Sequence, residues 1–224
     1  MILQYDAGCV ILPPMGNPAL PERDQALVQI VDAALASAVQ RSGSWLACRP
    51  GCSQCCEGAF SISQLDALRL QHGLDELEHR DPRRAAAVRR RARESVIRLG
   101  PAFPGDAVSG ILSEDEASEQ EFVDFANGEP CPVLDPATGT CDLYAARPIT
   151  CRAFGPPVRS EDGLGICELC YHGATDEQIA ACEMEVDRDD LESSILKELE
   201  EAGGPSGRTI IAFPLAQFSR KESR

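Results

Sequence analysis

The run Cys48-Arg49-Pro50-Gly51-Cys52-Ser53-Gln54-Cys55-Cys56 places four thiols in nine residues, and no other feature of the chain constrains its fold as strongly. Thiols at that density are rarely kept for packing alone. Pro50-Gly51 suits a tight turn that aims several side chains inward. Of the other seven cysteines, Cys131, Cys141 and Cys151 recur every ten residues, and Cys167-Glu-Leu-Cys170 is a C-x2-C pair. Cys9 and Cys182 stand apart. The spacing reads as two or three ligand-bearing loops brought together in space.

What holds those thiols depends on the compartment. The chain begins Met1-Ile2-Leu3-Gln4-Tyr5-Asp6, with no basic leader and an aspartate where a signal peptide needs an apolar core, so a cytoplasmic location is expected. A reducing cytosol disfavours structural disulfides, eleven cysteines is an odd number, and adjacent Cys55 and Cys56 cannot easily bridge each other. Metal ligation accounts better for the pattern, because a cation gathers several thiolates and lowers their pKa as it does so.

Composition bounds the rest. A chain of 224 residues with 43% hydrophobic content suits one compact domain. No apolar stretch approaches the roughly 18 to 20 residues that cross a bilayer, so no membrane association is expected. The net charge of −15 argues against nucleic acid. Residues 74–98 are a local exception, with eight arginines against five carboxylates. The basic helix from Arg83 to Arg98 reads first as a solvated face balanced by acidic helices, and second as a docking surface for an acidic protein partner or for RNA.

The expected fold is mainly α with irregular cysteine-rich loops: a small single-domain, metal-clustered helical fold with minor β content at most. Ala26, Leu27, Ile30, Val31, Ala34, Leu35, Ala38 and Val39 form the apolar stripe of a helix running from Pro21 to Ser42-Gly43. Ser63 and Asp66 start a short helix that stops near Gly73, and Asp81-Pro82 opens the arginine-rich helix to about Leu99. Ser113-Glu-Asp-Glu116 reads as a capping box opening an acidic helix. Asp135 to Gly139 is turn chemistry that brings Cys131 and Cys141 to the open ends of a hairpin. Arg147-Pro148 then starts a helical turn carrying Cys151. A second capping box, Thr175 with Gln178, opens one long acidic helix to Gly203-Gly204, and Thr209 to Phe213 reads as a short strand or extended tail. Three stretches are expected to pack together: 1–43 with the amphipathic helix, 44–173 as the cysteine-cluster domain with a helical insertion at about 61–128, and 174–224 as acidic helix and tail.

Nine thiols are candidate ligands: Cys48, Cys52, Cys55, Cys56, Cys131, Cys141, Cys151, Cys167 and Cys170. Cys182 fits a buried stripe, Cys9 has no assignable partner, and His172 is a weaker alternative for a Cys3His site. Several thiolates around a cation leave net negative charge that burial penalises, so Arg147 and Arg152 are expected beside the thiols as compensating donors. The C-x2-C elements favour tetrahedral zinc, and Cys131-Pro132 offers the proline often found beside an iron–sulfur ligand. Spacing leaves both open and does not allocate thiols to sites.

The joint pattern C-x3-C-x2-C-C, then C-P-x-L, a turn, and C-x-x-Y-x-x-R-P-x-x-C-R resembles the bacterial YkgJ-type cysteine-cluster family, also described as a zinc- or iron-chelating domain. The matching residues are Cys48, Cys52, Cys55, Cys56, Cys131-Pro132, Leu134, Cys141, Tyr144, Arg147-Pro148, Cys151-Arg152 and either Cys167 or Cys170. The resemblance implies metal binding, with zinc or an iron–sulfur cluster as cofactor and Tyr144 among the supporting residues. The same module resembles part of flagellin lysine N-methylases, so a role in an iron–sulfur oxidoreductase or a protein-modifying enzyme is the alternative. No nucleophile and base pair, glycine-rich phosphate loop, or nicotinamide or flavin fingerprint accompanies the cysteines. Whether the chain is an enzyme stays open at this point.

Overall fold

A proline before and a glycine after delimit the first helix, α1 (Glu22–Ser42): Pro21 precedes it, and Gly43, at φ +51°, ends it. The computed structural model describes residues 19–49, 51–160 and 163–217. Along α1 the stripe that reaches the core is narrower than the sequence suggests. Leu27, Val31 and Ala38 are fully buried, whereas Ile30 and Val39 are each 46% exposed. The reason is one-sided packing, since the buried face of α1 joins a cluster with Leu65, Ile149, Met184 and Ile195, flanked by Val158, Val186 and Leu191.

Ser63 accepts from the Asp66 N–H at 3.2 Å and starts α2 (Gln64–Arg80). The helix does not stop near Gly73. Leu74 and Leu77 continue its buried stripe, and the missing side chain at Gly73 lets the turn Tyr144–Ala146 approach. A methyl group at Gly73 would collide with that of Ala146. Gly73→Ala gains up to about 1 kcal/mol of helix propensity. Overpacking of about 1–3 kcal/mol is expected to outweigh it and lower the urea midpoint; a higher midpoint would mean that the Ala146 turn yields freely.

Asp81 accepts from the Arg84 N–H at 3.0 Å, and Pro82 fills the first position of α3 (Pro82–Leu99), as the sequence predicts. Next come β1 (Ser61–Ile62), which precedes α2, and the antiparallel pair β2 (Gly105–Asp106) and β3 (Ile111–Leu112). α4 (Glu116–Asp124) is capped by Asp115, two residues later than expected, through the Ser118 N–H at 3.1 Å. Ser113 is held instead just past the end of β3, its N–H donating to the Pro104 carbonyl at 3.1 Å.

The hairpin β4 (Leu134–Asp135) and β5 (Thr140–Cys141) forms as expected, with Leu134 opposite Cys141. Pro148 precedes the short helix α5 (Ile149–Ala153), which carries Cys151, and β6 (Val158–Ser160) pairs with β7 (Gly163–Gly165). The single long acidic helix is replaced by two. The Thr175–Gln178 capping box is present, but α6 (Asp176–Ala180) ends early and α7 (Leu191–Glu201) begins after a break. Met184 is drawn into the α1 core, its N–H donating to the Pro157 carbonyl at 2.8 Å, and Asp190 turns left-handed at φ 54°. Burying Met184 overrides local helix propensity.

Finally β8 (Thr209–Ile210) pairs antiparallel with β1, and α8 (Ala212–Ala216) lies across α2 and α3, with Leu215 fully buried. The fold is mainly α, and its described strands are two or three residues long. No described helix is long and apolar enough to cross a membrane.

Candidate metal centre

Two antiparallel hydrogen bonds set the first cysteine loop against the second. The Cys131 N–H donates to the Cys56 carbonyl at 2.7 Å, and the Gly58 N–H to the Glu129 carbonyl at 2.8 Å. From Cys131 the chain turns at once, the Leu134 N–H donating back to the Cys131 carbonyl at 3.0 Å, and the β4–β5 hairpin returns it at Cys141. The turn Tyr144–Ala146 and Pro148 then deliver Cys151 on α5. Cys131, Cys141 and Cys151 all pack against the same core, beside Leu70, Leu74, Val133 and Leu143.

The thiols in this region act on one another. Burial pushes Cys131 up to about 12, with the Cys141 and Cys55 thiols contributing. Burial likewise raises Cys141, and it holds Cys151 well above its usual value with help from Cys131, Cys141 and Cys55. Cys55 and Cys56 share a hydrogen bond that brings Cys55 down to about 6, an effect the Arg147 guanidinium assists, and raises Cys56. Five thiols from three segments therefore form one group: Cys55, Cys56, Cys131, Cys141 and Cys151.

A second group lies apart. Cys48 is pushed up to about 12 by burial and then by Cys170, Cys52 and Cys167. Cys170 is buried among Tyr171, Cys182, Trp45, Leu46 and Ala47, with Cys167 packed alongside. The C-x3-C-x2-C-C run is thus divided by neighbours: Cys48 and Cys52 interact with Cys167 and Cys170, and Cys55 and Cys56 with Cys131 and Cys141. Cys182 is a core residue, His172 is exposed, and Cys9 lies outside the described residues.

Arg147 lies 4.0 Å over the Tyr144 ring and also reaches Asp32 at 3.7 Å. Arg152 is buried and converges on the same carboxylate, donating to Asp32 at 2.7 and 2.8 Å and to the carbonyls of Ala145 and Arg147 at 2.6 and 3.2 Å. It ties the Cys151 helix to α1. One charged residue escaped the sequence reading. Asp142, its side chain 1% exposed, is gripped by Arg84 and Arg91, and Arg91 also donates to the Pro132 carbonyl at 2.8 Å. Two arginines of α3 therefore fix the hairpin that carries Cys131 and Cys141. Arg89 pairs with Asp75 and Glu78 and Arg98 with Glu129, so much of the basic charge of α3 is engaged within the molecule. The only signal available was the Cys141-Asp142 dipeptide opposite an arginine-rich helix.

Among the described residues, no three His, Cys, Asp or Glu side chains are already drawn into ligating geometry, and the ten described cysteines are free thiols. The donor chemistry nevertheless suits soft metals, because zinc and iron–sulfur centres take thiolates.

Helices that present free thiols from separate loops define a cysteine-rich, metal-chelating class of protein. A family model described as "Putative zinc- or iron-chelating domain" (CxxCxxCC) matches residues 47–171, more than half of the chain, and the protein belongs to that family. Its cofactor class is accordingly zinc or iron. No curated protein and no solved structure matches the chain.

Proposed function

We propose that the protein chelates its metal principally through the five-thiol group, Cys55, Cys56, Cys131, Cys141 and Cys151, as a zinc or an iron–sulfur centre. The observation that carries this reading is the meeting of three chain segments at mutually interacting thiols on one apolar core, with Arg147 the nearby cation. Bound there, zinc would supply folding free energy, and an iron–sulfur cluster would supply one-electron chemistry.

Each segment has a separate task in that arrangement. The Cys56–Cys131 backbone pairing sets the distance between the first two loops, and the hairpin sets Cys141. Arg152 and the core packing set Cys151. Arg147 offsets the negative charge of several thiolates.

Anaerobic purification followed by elemental analysis and an absorption spectrum tests the reading. Iron with acid-labile sulfide and visible absorbance identifies a cluster, and a colourless protein holding zinc identifies a structural ion. A chain that binds neither metal refutes the proposal. Arg147→Gln is expected to weaken metal affinity about 10–100-fold while the fold persists, as with other residues that support ligands. Competition with a chelator measures it, and unchanged affinity would remove Arg147 from the site.

A further inference from the structure

The segment after α1 and the segment ahead of α6 are laced together, and the lacing runs through cysteines outside the five-thiol group. The Tyr171 N–H donates to the Trp45 carbonyl at 2.9 Å, and the Ala47 N–H points at the Cys170 sulfur at 3.4 Å. Each side of the seam is a tight turn between two thiols. The Cys52 N–H donates to the Arg49 carbonyl at 2.9 Å, with Gly51 at φ +88°, and the Cys170 N–H donates to the Cys167 carbonyl at 2.9 Å. Gln54 reaches across to Glu168 at 2.5 Å. Gly155 abuts the site as well, since a side chain there would come within 3.0 Å of the Cys48 sulfur. Between the turns lies an open cavity of about 300 Å³, lined by Ala47, Arg49, Cys52, Gln54 and Leu169.

We propose that Cys48, Cys52, Cys167 and Cys170 form a second and separate centre, a four-thiolate site for one zinc-class divalent ion that clasps these two segments together. The proposal rests on the thiolate-chelation reading above and adds a site to it. A C-x3-C pair facing a C-x2-C pair is ligand spacing typical of structural zinc, and four thiolates complete a tetrahedral shell with no position left for substrate. The N–H of Ala47 directed at Cys170 is the kind of supporting contact that orients a ligand sulfur. The open cavity reaches the proposed site at Cys52. Two centres also account for the number of thiols, because nine exceed what one tetrahedral ion or one four-cysteine cluster uses.

The fold supplies its own reporter, because Trp45 is the sole tryptophan in the sequence and its carbonyl belongs to the seam. Cobalt(II) titration into the metal-stripped full chain, followed by absorbance, Trp45 fluorescence and native mass spectrometry, should show an ion in tetrahedral thiolate coordination whose binding quenches Trp45. In Cys167→Ser/Cys170→Ser the native mass should fall by one ion per chain and the quenching should vanish, with metal retained at the five-thiol group. In Cys141→Ser the quenching ion should remain. Should the double variant not fold, the wild-type titration decides the question through the presence or absence of a phase that quenches Trp45. A double variant that keeps every ion, or loses all metal at once, overturns the separate centre and leaves chelation by the chain standing. A wild-type chain that takes up no metal overturns both.

Discussion

Arg69→Leu is expected to destabilise the protein by about 3–5 kcal/mol, the usual cost of stranding buried charge. Arg69 is 4% exposed and sits between two carboxylates that are themselves buried, Asp24 of α1 and Asp66 of α2. Its Nε donates to both Asp24 oxygens at 3.2 and 3.3 Å. Asp66 does more than pair: its Oδ1 also accepts the Ile149 N–H at 2.9 Å, the first residue of α5. Burial pushes the Asp66 carboxyl up, and Arg69 pulls it back down. Removing the guanidinium therefore leaves two desolvated carboxylates and loosens the anchor of the helix that carries Cys151. Urea unfolding of the metal-loaded protein measures the cost, and a change below about 1 kcal/mol would refute the assignment. A companion variant, Asp24→Asn/Asp66→Asn/Arg69→Met, removes all three charges and keeps an acceptor for Ile149. It should recover most of the loss, because apolar replacement of a whole buried ion cluster is often neutral.

Cys151→Ser is expected to empty the five-thiol centre of its metal and to lower stability well beyond what one lost side chain explains. Serine keeps the volume but offers no thiolate, and a structural zinc contributes on the order of 10 kcal/mol to folding in small domains. Cys141→Ser should behave alike. Cys182→Ala is the control, since Cys182 is 4% exposed in a core cluster and its loss should cost stability without reducing metal at that centre. Elemental analysis per chain, paired with the unfolding midpoint, reads both effects. Full metal content in Cys141→Ser and Cys151→Ser together would exclude the five-thiol assignment.

Much of the helical frame was legible because single residues dictate it. Asp81-Pro82 and Thr175 with Gln178 are caps whose side chains satisfy orphan N–H groups, and both stand where the pattern places them. Asp135 to Gly139 likewise forces the hairpin. The misreadings arose where a distant contact prevailed over a local preference. Gly73 is a helix breaker by propensity, yet here it is the point at which the Ala146 turn approaches. The acidic helix divides because Met184 finds a core that no local pattern announces.

The same limit applies to the thiols. Their spacing singles out nine candidates, but Cys52 and Cys55 are three residues apart and join different groups. That division depends on which distant loop each one meets, and Tyr171 against Trp45 or Cys131 against Cys56 are pairings invisible along the chain.

The β1–β8 pairing bears on how such a protein is made. Residues 61 and 62 find their strand partners only at 209 and 210, and Leu215 fills the core on which Cys131, Cys141 and Cys151 rest. On a ribosome, every thiol would emerge before the scaffold that positions it could close. Contacts so far apart in sequence make closure slow. A nascent chain would thus expose an array of unrestrained thiols to ambient metals and oxidants, and correct loading would wait until residues 209–215 had emerged.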